Sequence, residues 1–245
     1  MKEEHRTWRT KYLNRNFDML VFGESGFPII IFATSKGSYY QNKDFGLVDC
    51  VSRFVDEGLV KIYTPDSIDK ESWYNYDIHP SERVKNHITY ENLILDEVIE
   101  VAKQETGFQK VAVAGASFGG YHAVNIAFRH PDSIAYMFSM SGAFDIKQFI
   151  FGYYDDNCYY NNPPDYLPGL NDSWYLENIK KMGIVLGTGG LDSCRNDNIN
   201  LSNILKSKGI EHWLDDEQSV GHDWPWWKEM LPKYISSIKE IQHKL

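Results

Sequence analysis

Residues 111–129 constrain the fold more than any other stretch. Val111–Ala114 is a short, wholly apolar run, and Gly115-Ala116-Ser117-Phe118-Gly119-Gly120 follows it without a gap. A helical pattern then continues from about Gly119 to Arg129. His130-Pro131 closes it, because the residue before a proline disfavours helix. An apolar run of this length reads as a strand covered on both faces, as in a parallel sheet flanked by helices. Strand, tight turn and helix make one βα unit, so the chain is expected to be an α/β protein.

The rest of the sequence repeats that alternation. Phe17–Phe22 and Phe27–Ala33 flank the turn Gly23-Glu24-Ser25-Gly26 and read as an early hairpin. Leu59–Thr64, Ile134–Met140, Gly183–Leu186 and Glu211–Leu214 are further strand candidates. Helices are expected around Phe45–Glu57, Ile88–Gln104, Asn198–Lys208 and Trp226–Ile241. Neither repeats nor a Pro/Gly/Ser-rich linker divide the 245 residues, so one domain, 1–245, is expected. Within it, 144–181 stands apart as an aromatic, polar stretch with little periodicity. Its position after Ile134–Met140 suggests a cap-like insertion over the carboxyl edge of the sheet.

Composition removes several classes of function. The chain carries 25 basic against 34 acidic residues, a net charge of −9, and lacks a Lys/Arg cluster. Neither nucleic acid nor an anionic membrane surface is therefore an expected partner. The longest apolar stretch, Phe27–Ala33, is strand-sized and far from the roughly 18 residues of a membrane helix. Cys50, Cys158 and Cys194 are too scattered for a disulfide framework or a C-x-x-C metal site, and neither metal nor cofactor is expected. Met1–Leu13 is charged and lacks the apolar core of a signal peptide, which makes the cytoplasm the simplest expected location, with a mature secreted chain as the alternative.

Ser117 sits where a nucleophile elbow requires its serine: on a tight turn between a strand and a helix, with small residues two before and two after it. The alternative is a serine capping a glycine-rich turn. A serine hydroxyl needs a base, and an acid followed by a histidine is the order found after such elbows. Of the eight histidines, His222 lies in Val220-Gly221-His222-Asp223-Trp224-Pro225, after the last strand and before the last helix. Its partner should sit in a loop following the preceding strand. Asp192, after Gly187-Thr188-Gly189-Gly190-Leu191, is favoured there. Asp197 is the rival, placed to begin the next helix as an N-cap.

Ser117-Phe118-Gly119-Gly120-Tyr121, followed by Ala123, Ala127, His130-Pro131 and Ser141-Gly142, resembles the esterase D-like "putative esterase" branch of the α/β hydrolases. That branch includes feruloyl and acetyl xylan esterases, enterochelin esterases and mycolyltransferases. The likeness continues through Gly187, Asp192, Asn198 and Gly221-His222-Asp223-Trp224, covering the chain from about Ile29 onward. It implies an α/β-hydrolase fold and a triad of Ser117, Asp192 and His222, the same three residues. Many members carry His-Gly after the early strand, in the loop that supplies a second oxyanion amide. Here Thr34-Ser35 stands in that place. Backbone N–H groups do not depend on side-chain identity, so Phe118 and Ser35 are the expected oxyanion donors.

The expected function is a serine carboxylic-ester hydrolase working through an acyl-enzyme on a carbohydrate-linked, phenolic or other small ester. An acyltransferase with the same triad, or an inactive binding module on the same fold, are the alternatives. Tyr159, Tyr160 and Trp224 are the candidate substrate-binding residues, since aromatic faces with polar tips suit a sugar or a phenol.

Overall fold

The computed structural model describes residues 1–242. In chain order its elements are β1 (Glu3–Arg9), β2 (Asn16–Phe22), β3 (Phe27–Phe32), α1 (Gln41–Asp44), α2 (Ser52–Asp56), β4 (Val60–Pro65), α3 (Pro80–Leu93) and α4 (Glu100–Thr106). There follow β5 (Val111–Ala116), α5 (Phe118–Arg129), β6 (Ile134–Met140), α6 (Asp156–Tyr160), α7 (Pro163–Gly169), α8 (Ser173–Ile179), β7 (Gly183–Leu191), α9 (Arg195–Ser207), β8 (Trp213–Gly221), α10 (Trp224–Ile235) and α11 (Lys239–Gln242). A π-helical stretch, Ile94–Ile99, joins α3 to α4, and short 3-10 turns cover Asp49–Val51 and Ile146–Phe149.

The eight strands form one sheet in the order β1-β2-β4-β3-β5-β6-β7-β8. β1 and β2 are antiparallel, as are β2 and β4, and every other pairing is parallel. Two apolar layers cover the two faces. On β5, Val111 and Val113 point into the layer shared with Ile94, Val98 and Ile126, while Ala112, Ala114 and Ala116 point into the layer shared with Val48, Leu231 and Tyr234. That is the period of two a pleated strand imposes.

β3 leads to β4 on one side of the sheet, whereas β5 leads to β6 on the other. The chain therefore changes direction between β3 and β5. At such a switch point the loops leaving the carboxyl ends diverge and open a crevice. The β3 loop, residues 33–37, and Ser117 after β5 both belong to it.

Two expectations need correction. Phe17–Phe22 and Phe27–Ala33 do not pair as a hairpin. β4 lies between them, and β2 takes β1 as its other partner. β1 itself was not anticipated: its run Glu-Glu-His-Arg-Thr-Trp-Arg is mostly solvent-facing edge strand and carries little apolar signal. The segment 144–181, whose sequence shows little periodicity, forms one 3-10 turn and three short helices, α6 to α8.

Candidate active site

The turn between β5 and α5 holds Ser117 at φ 55° and ψ −121°. A non-glycine residue with positive φ is strained by about 1–3 kcal/mol and persists only where its surroundings fix it. Here Ser117 N–H donates to Met140 O at 2.9 Å, and Ser117 O accepts from Gly120 N–H at 3.0 Å and Ala143 N–H at 3.2 Å. The flanking glycines make the approach possible. A Cβ at Gly115 would meet the backbone of Gly119, and one at Gly119 would meet the carbonyl oxygens of Ala33 and Phe32. The elbow is thus pressed directly against the loop that follows β3.

His222 leaves β8 one residue before Asp223, whose carboxylate caps α10 through Trp224 N–H at 2.7 Å. Its ring is fixed on both nitrogens. Nδ1–H donates to Asp192 Oδ1 at 2.8 Å, and Nε2 accepts from Ser117 Oγ at 2.9 Å. The carboxylate partner assigns the Nδ1 proton. Asp192 is buried just past β7, where it also accepts from Thr188 Oγ1 at 2.8 Å and Cys194 N–H at 2.9 Å. Trp227 meets the His222 ring edge to face at 5.2 Å and donates its Nε1–H to Ser141 Oγ at 3.0 Å.

These contacts shift both titrations. The Asp192 carboxylate, then the Cys194 thiol, raise the His222 imidazole to about 9 against the opposing effect of burial. Burial alone would raise the Asp192 carboxyl, yet hydrogen bonds from His222, Cys194 N–H, Ser141 and Thr188 hold it below the usual carboxylate value. Asp197 lies inside the first turn of α9, half-buried, and burial raises its carboxyl. It is Asp192 that meets His222.

The other described histidines have partners elsewhere. His5 pairs with Asp18, His79 with Ser81, His87 with Tyr121, His122 with Asp69, His130 with Glu91 and His212 with Ser202. His243 lies outside the described residues.

Phe118 N–H opens α5, and Ser35 N–H lies in the β3 loop. Among the described residues neither has a hydrogen-bond partner. Both neighbours of Ser35 are occupied. Thr34 N–H donates to Gln41 Oε1 and Lys36 N–H to Asp69 Oδ2, each at 2.9 Å. Tyr74 adds its hydroxyl to Ser35 Oγ at 2.8 Å and packs edge to face on Phe118. Asp69 is buried and reaches back to α5, since its Oδ1 accepts from His122 Nε2 at 2.9 Å. None of these four side chains was singled out in the sequence, because no spacing links positions 41, 69, 74 and 122 to position 35.

Trp224 stacks on Phe45 at 4.5 Å beside His222, while Tyr74 and Phe149 pack together on the Phe118 side. Tyr159 and Tyr160 are elsewhere, which corrects their expected place beside Ser117. Tyr160 O accepts from Arg129 Nη1 at the last residue of α5, about 18 Å along that helix from the elbow. The reason is that Asn161 ties this segment to the helix flank, its O accepting from the Tyr121 hydroxyl and its Oδ1 from Asn125 Nδ2. Asp192, Cys194 and His222 also bring three metal-ligating atoms within 4.8 Å of one another. Sequence spacing concealed that set. A metal ion there would displace the Nδ1 proton that joins His222 to Asp192.

A family model described as "Putative esterase" matches residues 53–237, three quarters of the chain. The chain belongs to that family. Its activity is carboxylic-ester hydrolysis. No curated protein matches the sequence. Among solved structures, this esterase shares its α/β-hydrolase fold with a ferulic acid esterase, 19% identical over 95% of both chains with a TM-score of 0.76. An S-formylglutathione hydrolase from Agrobacterium tumefaciens is 12% identical over 96% of this chain and 93% of that one, with a TM-score of 0.74. A ferulic acid esterase from the anaerobic fungus Anaeromyces mucronatus is 14% identical over 96% and 90%, with a TM-score of 0.71. Among the described residues of this esterase, no helix is long and apolar enough to cross a membrane.

Proposed function

We propose that this esterase works through a Ser117–His222–Asp192 triad and a covalent acyl-enzyme. Ser117 Oγ attacks the ester carbonyl carbon while His222 Nε2 takes the hydroxyl proton. Collapse of the tetrahedral adduct breaks the bond to the alcohol, which leaves with that proton. Water then attacks the acyl carbonyl carbon and gives a proton to His222; collapse of this second adduct breaks the bond to Ser117 Oγ, which takes the proton back from His222 as the acid is released. Asp192 holds the imidazole in the Nδ1–H tautomer and stabilises its cation. Phe118 and Ser35 N–H groups receive the oxyanion, and loss of one such donor costs about 3 kcal/mol of transition-state stabilisation.

The observation that carries this reading is the unbroken chain from Asp192 through His222 to a serine held at positive φ. The accessible aromatic side chains near the triad and the β3 loop, Trp224 stacked on Phe45 and Tyr74 beside Ser35, favour a small ester with a flat acyl or alcohol half. A phenolic acyl group gains support from a ferulic acid esterase of the same fold that was solved with ferulic acid bound. A fluorophosphonate probe tests the nucleophile. Labelling of the intact protein, lost in Ser117→Ala, is expected, and labelling that survives that substitution contradicts the assignment.

A further inference from the structure

The β3 loop turns back on itself at Thr34–Gly37, where Gly37 N–H donates to Thr34 O at 2.9 Å. The third residue of that turn, Lys36, stands at φ 56°, whereas Ser35 before it does not have a positive φ. This is the pattern of a type II turn, whose third position suits glycine or asparagine. A lysine there is strained. Type I and type II turns differ by a rotation of their central peptide, so turning the Ser35–Lys36 peptide over would relieve Lys36. Something must hold that peptide in the direction it has.

Asp69 does so. Its Oδ2 accepts Lys36 N–H and its Oδ1 accepts His122 Nε2–H, each at 2.9 Å. The carboxylate partner assigns the proton to that nitrogen. Asp69 is 1% exposed and His122 4%, so water does not substitute for either donor. A buried carboxylate is costly unless it is hydrogen-bonded, and a donor on one oxygen sets the direction the other oxygen faces. His122 follows Phe118 by one helical turn, on the same face of α5, and meets its ring edge to face at 5.0 Å. The helix turn that presents the Phe118 amide is thereby joined, through His122 and Asp69, to the loop that presents the Ser35 amide.

We propose that His122 and Asp69 are positioning residues for the oxyanion hole, holding the Ser35–Lys36 peptide in its strained direction and fixing the loop relative to α5. This rests on the reading of Phe118 and Ser35 N–H as the oxyanion donors. Neither His122 nor Asp69 touches the reacting atoms; both act through the backbone of the loop. With the pair broken, the peptide is free to rotate toward the relaxed turn, and the Ser35 amide beside it loses its aim. The nucleophile and its base are left as they were.

Steady-state kinetics on a short-chain aryl ester test this with two variants of the intact protein. His122→Phe fills the space without a donor, whereas His122→Gln keeps an N–H donor near the place of Nε2. His122→Phe should lower kcat about tenfold, as expected for a loosened oxyanion donor. KM and the acid limb of the pH profile, which reports His222, should not move. His122→Gln should retain most of the parental kcat. Lys36→Gly, which removes the strain at an exposed position, should restore most of the kcat lost in His122→Phe. A folded His122→Phe with parental kcat overturns the proposal, and so does an equal loss in His122→Gln, a shifted acid limb, or a loss that Lys36→Gly leaves unchanged. Asp69→Asn, which keeps the shape but gives up an acceptor, carries the same comparison where His122→Phe does not fold, and parental kcat there overturns the proposal too. An inactive Ser117→Ala beside a fully active His122→Phe defeats this inference alone, whereas a fully active Ser117→Ala defeats the reading beneath it.

Discussion

The elbow at 115–120 and the loop at 33–37 meet at the same crevice, yet they are held in opposite ways. The elbow is fixed by its own backbone and by small residues. Ser117 keeps its positive φ through amide and carbonyl bonds to Met140, Gly120 and Ala143, and Gly115 and Gly119 let the chain pass close. The loop is fixed by side chains that arrive from elsewhere: Gln41 on Thr34 N–H, Asp69 on Lys36 N–H, Tyr74 on Ser35 Oγ. A turn built from local glycines is hard to disturb except by filling it. A loop propped by distant polar groups can be loosened one prop at a time, with the nucleophile left in place.

The largest effect expected lies on the elbow side. Asp192→Asn should keep the fold and lower kcat by around four orders of magnitude, since the imidazole loses its fixed tautomer. Asp197→Ala should leave turnover within a few-fold of the parent. Steady-state kinetics beside a thermal melt would separate the two, and an inactive, folded Asp197→Ala would move the acid to that position.

A smaller loss is expected from the loop. Gln41→Ala releases both Thr34 N–H and Thr34 Oγ1, so the Ser35 amide should lose its fixed direction. Complete loss of an oxyanion donor costs about 10²–10³ in kcat, and a loosened one should cost about tenfold. KM and the acid limb of the pH profile should stay put, because His222 is untouched. A shift of that limb in Gln41→Ala would mean that loop and triad are not separable in this way.

The smallest effect concerns Cys194. His222 acts as a base only when neutral, and its pKa is raised to about 9. The neutral fraction, and with it kcat/KM, should therefore rise with pH and level off above about 9. The thiol is one of the two main causes of that rise. Cys194→Ala should then move the acid limb to lower pH and raise kcat/KM at pH 7 with the plateau unchanged. A pH–rate profile of both proteins reads this directly.

The same contrast explains how much could be read from sequence. Strand β5, the elbow and α5 are contiguous, and their apolar run, glycines and closing His130-Pro131 are local signals. The order of Ser117, Asp192 and His222, each in a loop after a strand, was enough to name three side chains that the fold brings into one hydrogen-bonded chain. Legibility ended where contacts are long-range. Nothing near Ser35 in sequence announces Asp69 or Tyr74. The turn at 23–26 suggested a hairpin because β2 and β3 are neighbours in the chain, but strand pairing is decided by β4, which arrives more than thirty residues later. Tyr159 and Tyr160 follow a strand whose carboxyl edge faces the crevice, yet Asn161, bonded to Tyr121 and Asn125, draws them along α5 toward its other end.

The central claim is that Ser117 and His222 act as one unit on an ester. It is tested most directly by kcat/KM on a short-chain aryl ester for Ser117→Ala, His222→Ala and the double variant. Groups that act together lose activity non-additively, so the double variant should be about as inactive as either single one. Losses that multiply, or full activity in Ser117→Ala, would contradict it.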